Sequence, residues 1–123
     1  MTIQIRPEQI NAFQVSAIEN FIDSVVPHLR EFFPETCADL GEPDTRAVVR
    51  LGIEMAQSYG IDREVFFCEF VDLIFLFGID FDKDPALPWA SEILLDESIQ
   101  DQLALMDHLW EAGLAEIANQ PAL

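Results

Sequence analysis

Asp80-Phe81-Asp82-Lys83-Asp84 places carboxylates at alternate positions, as the start of a calcium loop does. A loop of the EF-hand type continues with glycine at its sixth position and a bidentate glutamate at its twelfth. Here those places hold Pro85 and Ser91, so the match fails at both defining sites. The segment reads instead as a solvated loop whose aspartates cap the helix that follows and pair with arginines. Di-iron bundles need glutamate three residues before histidine on each of two helices. Val25 stands there before His28 and Leu105 before His108, which removes that chemistry. HExxH, GxSxG and a phosphate-binding glycine loop are all missing from the sequence.

The remaining reactive side chains read as structural. A nucleophilic cysteine needs a basic neighbour to hold its thiolate. Cys68 lies among Phe66, Phe67 and Phe70, and Cys37 has Glu35 and Asp39 beside it, so neither is activated. The two cysteines form no CxxC, and two free thiols in a reduced compartment are expected. His28 has Asp23 and Glu31 within reach along a helix, and His108 has Asp107 and Glu111. Both are expected as ordinary surface histidines. Asp72, inside an apolar run, needs a partner, and Arg46 or Arg50 is the expected one. No catalytic residue, metal or cofactor is expected.

The elements that would position these residues are all helical. Pro7-Glu8 makes a good helix start, followed by Ile10, Phe13, Val15, Ala17, Ile18, Phe21, Ile22, Val25, Leu29 and Phe32 mostly at helical spacing. Pro27 is expected to kink or split this helix just before His28. Residues 34–44 read as a loop with one helical turn around Cys37 to Leu40. Asp44 or Thr45 then caps a helix with a core stripe of Val48, Leu51, Met55 and Tyr59, stopped by Gly60.

Asp62 is the expected cap of a third helix, Arg63 to Phe77, apolar on nearly every side and so surrounded by other helices. Residues 78–88 form an acidic loop, and Pro88 opens a short helix through Trp89, Ile93 and Leu94. Ser98-Ile99-Gln100-Asp101 resembles a capping box before a last helix with a stripe of Ile99, Leu103, Met106, Trp110, Leu114 and Ile117, widened by Leu105 and Leu109. Gly113 is expected to weaken the end of that helix. No strand pattern competes. The expectation is an all-α, single-domain bundle, residues 1–123, of about five helices around a central apolar one.

Composition sets the function class. The chain has 123 residues, half of them apolar, with ten Phe, enough for a core and too apolar for disorder. Six basic residues stand against 23 acidic ones, a net charge of −17, which excludes nucleic acid and an anionic membrane surface as partners. Residues 1–16 lack the basic start and continuous apolar core of a signal peptide. Val65 to Ile79 is 15 residues long with Glu69 and Asp72 inside it, whereas a membrane span takes about 20. A cytoplasmic protein is expected.

The charge is uneven. Residues 1–60 hold nine acids and four arginines, whereas residues 61–123 hold fourteen acids against Arg63 and Lys83, with no Lys or Arg after Lys83. Docking to a basic protein is one reason for such a distribution; plain solubility for a chain that is half apolar is the other.

Four segments carry a resemblance: Pro27-His28-Leu29-Arg30-Glu31-Phe32-Phe33-Pro34; Val49-Arg50-Leu51-Gly52-Ile53 through Ala56; Tyr59-Gly60-Ile61; and Phe81-Asp82-Lys83-Asp84-Pro85 with Leu87-Pro88-Trp89-Ala90. In that order the chain resembles the small helical accessory proteins of bacterial type VI secretion effector loci, encoded beside spike proteins, adaptor chaperones and effectors. The resemblance covers roughly residues 5 to 110, with Gly78 to Ala90 its most specific part, and Pro27 departs from it. It implies a co-chaperone or adaptor that helps stabilise and load an effector, and it brings no catalytic residue with it.

The candidate partner-binding residues are therefore Asp80, Asp82, Asp84, Trp89, Asp96, Glu97, Asp101 and Trp110. The tryptophans would be anchors and the acids would steer the encounter; both tryptophans are equally open to a core role. Competing readings are an immunity protein that blocks a cognate toxin, a metal-regulated helical protein using the Asp80–Asp84 loop, and a self-associating homo-oligomer.

Overall fold

The computed structural model describes residues 7–119, with side chains from residue 16 onward. The fold is all-α: α1 Pro7–Phe32, α2 Pro34–Ser58, α3 Glu64–Phe77, α4 Pro88–Leu94 and α5 Gln102–Asn119, with no strand among the described residues. No helix among them is long and apolar enough to cross a membrane. The chain groups into two compact units, Met1–Arg50 and Leu51–Leu123, the division falling within α2.

In the first unit, α1 runs through Pro27 without splitting. Pro27 and Asp23 are both exposed, so the Asp23 carbonyl that loses its helical donor is on the solvated face. Phe21, Ile22, Val25, Val26 and Leu29 are buried, while Ile10, Phe13 and Val15 lie outside the described side chains. The loop expected over residues 34–44 is almost entirely helical. It breaks only at Gly41, whose φ of 79° and ψ of 164° interrupt α2. Pro43 then falls in the first turn of the resumed helix, where its missing N–H has no partner to lose. Neither Asp44 nor Thr45 caps: the buried Thr45 hydroxyl donates back to the Gly41 carbonyl at 2.8 Å and ties the break.

The second unit starts in the C-terminal half of α2. Its buried line is Gly52, Ile53 and Ala56, while Leu51 is exposed and Met55 and Tyr59 are half-buried. A Cβ at Gly52 would meet Ile74 at 2.9 Å and Val71 at 3.0 Å, so the α2 backbone lies directly on α3. At the end of α2, Gly60 (φ 85°) bonds Gln57 and Ile61 N–H bonds Ala56, both at Schellman positions, as the glycine stop requires.

Six residues of α3 are buried: Phe66, Phe67, Phe70, Val71, Leu73 and Ile74. Val65 and Leu76 stay exposed, so α3 is not covered on every side. Its N-cap is Arg63, without a side-chain bond. Asp62 instead pairs with Gln102: its backbone N–H donates to Gln102 Oε1 at 2.9 Å and its Oδ1 accepts from Nε2 at 2.7 Å. Helix α5 packs on both α3 and α4 through Leu105, Met106, Leu109 and Gly113. The glycine is a point of close approach and does not end the helix: a Cβ there would stand 3.2 Å from the Phe77 ring and 3.4 Å from Leu73.

Candidate functional site

The eight residues singled out from the sequence all lie in the second unit, on the 78–87 turn, α4, the 95–101 turn and α5. Among the described residues no hydrogen bond or ion pair joins any two of them. They divide by what holds their polar atoms.

The 78–87 segment is a chain of tight turns, with Phe81 N–H bonded to Gly78, Lys83 to Asp80 and Leu87 to Asp84. Phe81 is 1% exposed and its ring sits 5.2 Å from that of Phe70, which anchors the loop. The side chain of Asp80 is exposed. Asp82 is buried, at 5% exposure, and accepts the Tyr59 hydroxyl at 2.7 Å. Burial and the Asp82 carboxylate together push the Tyr59 hydroxyl up to about 12. Asp82 is thus an internal tie and not part of the surface. Asp84 Oδ1 accepts the Ala86 N–H at 2.9 Å, bracing the turn. The expected cap of α4 is absent, since its N-cap is Leu87 with no side-chain bond.

The arginines expected beside the loop aspartates pair instead inside the first unit. Arg46 binds Glu19 at 3.1 Å and Asp23 at 2.8 Å, while Arg50 binds Glu19 and Arg30 binds Glu42. The Glu19 carboxyl is held below its ordinary value, chiefly by the Arg50 hydrogen bond and further by Arg46.

Trp89 is half-buried, edge-on to Phe77 with ring centres 5.3 Å apart, and its Nε1–H donates to Glu116 at 3.1 Å. It ties α4 to α3 and α5. Trp110 is half-buried too, but no acceptor among the described residues reaches its buried Nε1. Asp96, Glu97 and Asp101 are exposed. The expected capping box does not form. Ser98 turns back and donates its N–H and hydroxyl to Asp96 Oδ1 at 3.0 and 2.6 Å, which with the His108 charge lowers the Asp96 carboxyl. The Asp101 carbonyl receives the Leu105 N–H and starts α5, leaving Ile99 outside the helix.

The thiol chemistry is weak, as the sequence suggests. Burial, with Asp72 and Glu69 adding their charge, pushes the half-buried Cys68 up to about 11. Cys37 is buried, and both cysteines are free. In the first unit an open depression of about 290 Å³ is lined by Arg30, Pro34, Cys37, Ala38, Glu42 and Thr45, and the Arg30–Glu42 pair occupies its charged groups.

Three features of the site were not singled out in advance: Tyr59 as the donor to Asp82, Glu116 as the acceptor for Trp89, and the exposure of Leu103, Leu114 and Ile117. The last had a signal in the sequence. The apolar positions of α5 form two lines, and a single packed face buries only one of them. Comparison of the chain with protein-family models, curated proteins and solved structures returns no match.

Proposed function

We propose that this chain is a non-catalytic, cytoplasmic protein-binding factor whose second unit docks a basic protein. Within the resemblance drawn from its sequence, the partner is a type VI secretion effector or its adaptor chaperone. The observation that carries this reading is the charge of the second unit. It holds fifteen acids and two bases, and Asp80, Asp96, Glu97 and Asp101 keep their carboxylates exposed. Like charge at this density opposes folding, and a cationic partner relieves it while speeding encounter.

The test is affinity purification of the tagged chain from its native host at low salt, with mass spectrometry of what is retained. A secretion effector or adaptor that is retained at low salt and released as salt rises supports the reading. Neutralising Asp80, Asp96, Glu97 and Asp101 together should weaken capture and flatten its salt dependence. Recovery of the chain alone overturns the reading, and protection of cells from a co-expressed toxin would make it an immunity protein instead.

A further inference from the structure

Helix α5 carries two apolar lines. One, formed by Leu105, Met106, Leu109 and Gly113, is buried against its neighbours. The other runs Leu103, Asp107, Trp110, Leu114 and Ile117, spaced four, three, four and three residues, so these side chains stack along one face. Leu103 is 53% exposed, Leu114 58% and Ile117 42%. Isolated exposed leucines need no explanation, but Leu103, Leu114 and Ile117 exposed on one face with Trp110 among them form a contiguous apolar strip. Trp110 lies within the row, its buried Nε1 without an acceptor among the described residues. From Leu103 to Ile117 the row extends about 21 Å, the length of four turns of helix.

A second edge borders this row. On α3, Val65, Glu69 and Leu76 share one face, with Val65 58% and Leu76 39% exposed. Helix α3 packs on α5, with Phe77 and Leu73 against Gly113, so the α3 edge borders the α5 row. Gly113 lets the two helices approach closely between them. Acids rim the seam: Asp101 at its head, Asp107 within it, Glu111 on one flank and Glu69 on the other.

We infer that the α3–α5 seam receives an amphipathic helix of a partner protein, with apolar residues at heptad spacing and Lys or Arg on its flanks. The helix-in-groove mode supplies apolar contact along the row, and the cations of the partner meet the acidic rim. A second copy of this chain would bring a like net charge of −17 against the same rim, which is why the occupant is a basic helix. This rests on the protein-binding reading above and adds which surface binds and what shape fits it.

The test is calorimetric titration of the full chain with a synthetic amphipathic peptide, leucine at heptad a and d positions and lysine elsewhere, beside a scrambled peptide of the same composition. The patterned peptide should bind at least about tenfold more tightly than the scrambled one. Leu103→Ser, Leu114→Ser and Ile117→Ser combined should erase that preference; all three are exposed, and circular dichroism and melting temperature check that the fold is kept. Equal binding of the two peptides, or a preference that survives the triple variant, overturns the seam. Self-association at high salt that the triple variant abolishes also overturns it, assigning the row to a second copy. If the triple variant still captures its salt-labile partner from the native host, the seam fails while the acidic-surface reading stands. If the unmodified chain captures nothing, it is that reading that fails.

Discussion

The two units of this chain handle negative charge in opposite ways. In the first, carboxylates meet guanidinium groups: Glu19 and Asp23 are bound by Arg46, Glu19 also by Arg50, and Glu42 by Arg30. In the second, four carboxylates are bound by neutral donors: Asp82 by the Tyr59 hydroxyl, Asp62 by the Gln102 amide, Asp96 by Ser98 and Glu116 by the Trp89 indole. A neutral donor satisfies a lone pair and leaves the charge in place. The second unit is therefore left strongly negative, the condition that the proposed basic partner would relieve. Its stability must come from apolar burial, and the first unit's exposed ion pairs contribute little by comparison.

The largest effect that can break this comparison is in the aromatic core. Phe70 is fully buried, with its ring 5.2 Å from Phe81 and 6.4 Å from Tyr59. Phe70→Ala should cost about 3–5 kcal/mol in denaturant unfolding. Arg46→Ala, which removes two ion pairs of the first unit, should lower the denaturation midpoint far less. If the two variants lose comparable stability, the ion pairs carry more than their exposure allows.

Next in size is the Tyr59–Asp82 tie. Tyr59→Phe keeps the ring and leaves a buried carboxylate without its donor, a loss of about 1–3 kcal/mol. Tyr59 is the chain's single tyrosine, so ultraviolet titration reads it alone. Its midpoint should lie near pH 12 in the folded chain and fall only part of the way in Asp82→Asn, because burial, the larger cause, remains. The folded value exceeds the unfolded one, so this tie contributes stability below pH 10 and loses it as pH rises toward 12. An unchanged midpoint in Asp82→Asn would mean that Asp82 and Tyr59 are not bonded.

Most helices were legible in the sequence, because proline and glycine punctuate it: Pro88 opens a helix and Gly60 and Gly78 close others, whereas the prolines and glycine of residues 34–44 suggested a loop where α2 already runs from Pro34. Which face each helix buries was not. In α2 the bulky line Val48, Leu51, Met55 and Tyr59 was the natural choice, yet the buried line is Val49, Gly52, Ile53 and Ala56. Small residues mark where another backbone comes close, as the Gly52 approach to Ile74 shows, and counting large apolar side chains passes over them. The same happened in α5, where Gly113 belongs to the packed line and Leu114 does not. Of the candidate site, the acidic turns were legible, but the ties that withdraw Asp82 and brace Trp89 join residues 23 and 27 positions apart. Periodicity carries no information at that range; only the packing of one helix on another supplies it.

The smallest effect is the most discriminating, because the two units should respond to acid with opposite signs. Glu69 is raised above 4.5 by burial, Asp107 and Asp72, so the folded chain holds this proton to higher pH than the unfolded chain does. Stability therefore falls as pH rises from 4.5 through the folded value, and the cost is fully present above it. Glu19 is depressed below 4.5, first by the Arg50 hydrogen bond. Its contribution is present above 4.5 and is lost as pH falls through the folded value. Glu69→Gln should consequently raise the melting temperature at neutral pH and make little difference at pH 4, whereas Glu19→Gln should lower it at neutral pH and lose its effect in acid. The pair of profiles, crossing in sign, is what a carboxylate bound by guanidinium in one unit and one buried beside like charge in the other require. Profiles of the same sign would mean that Glu69 has found a cation, and the second unit would then share the electrostatics of the first.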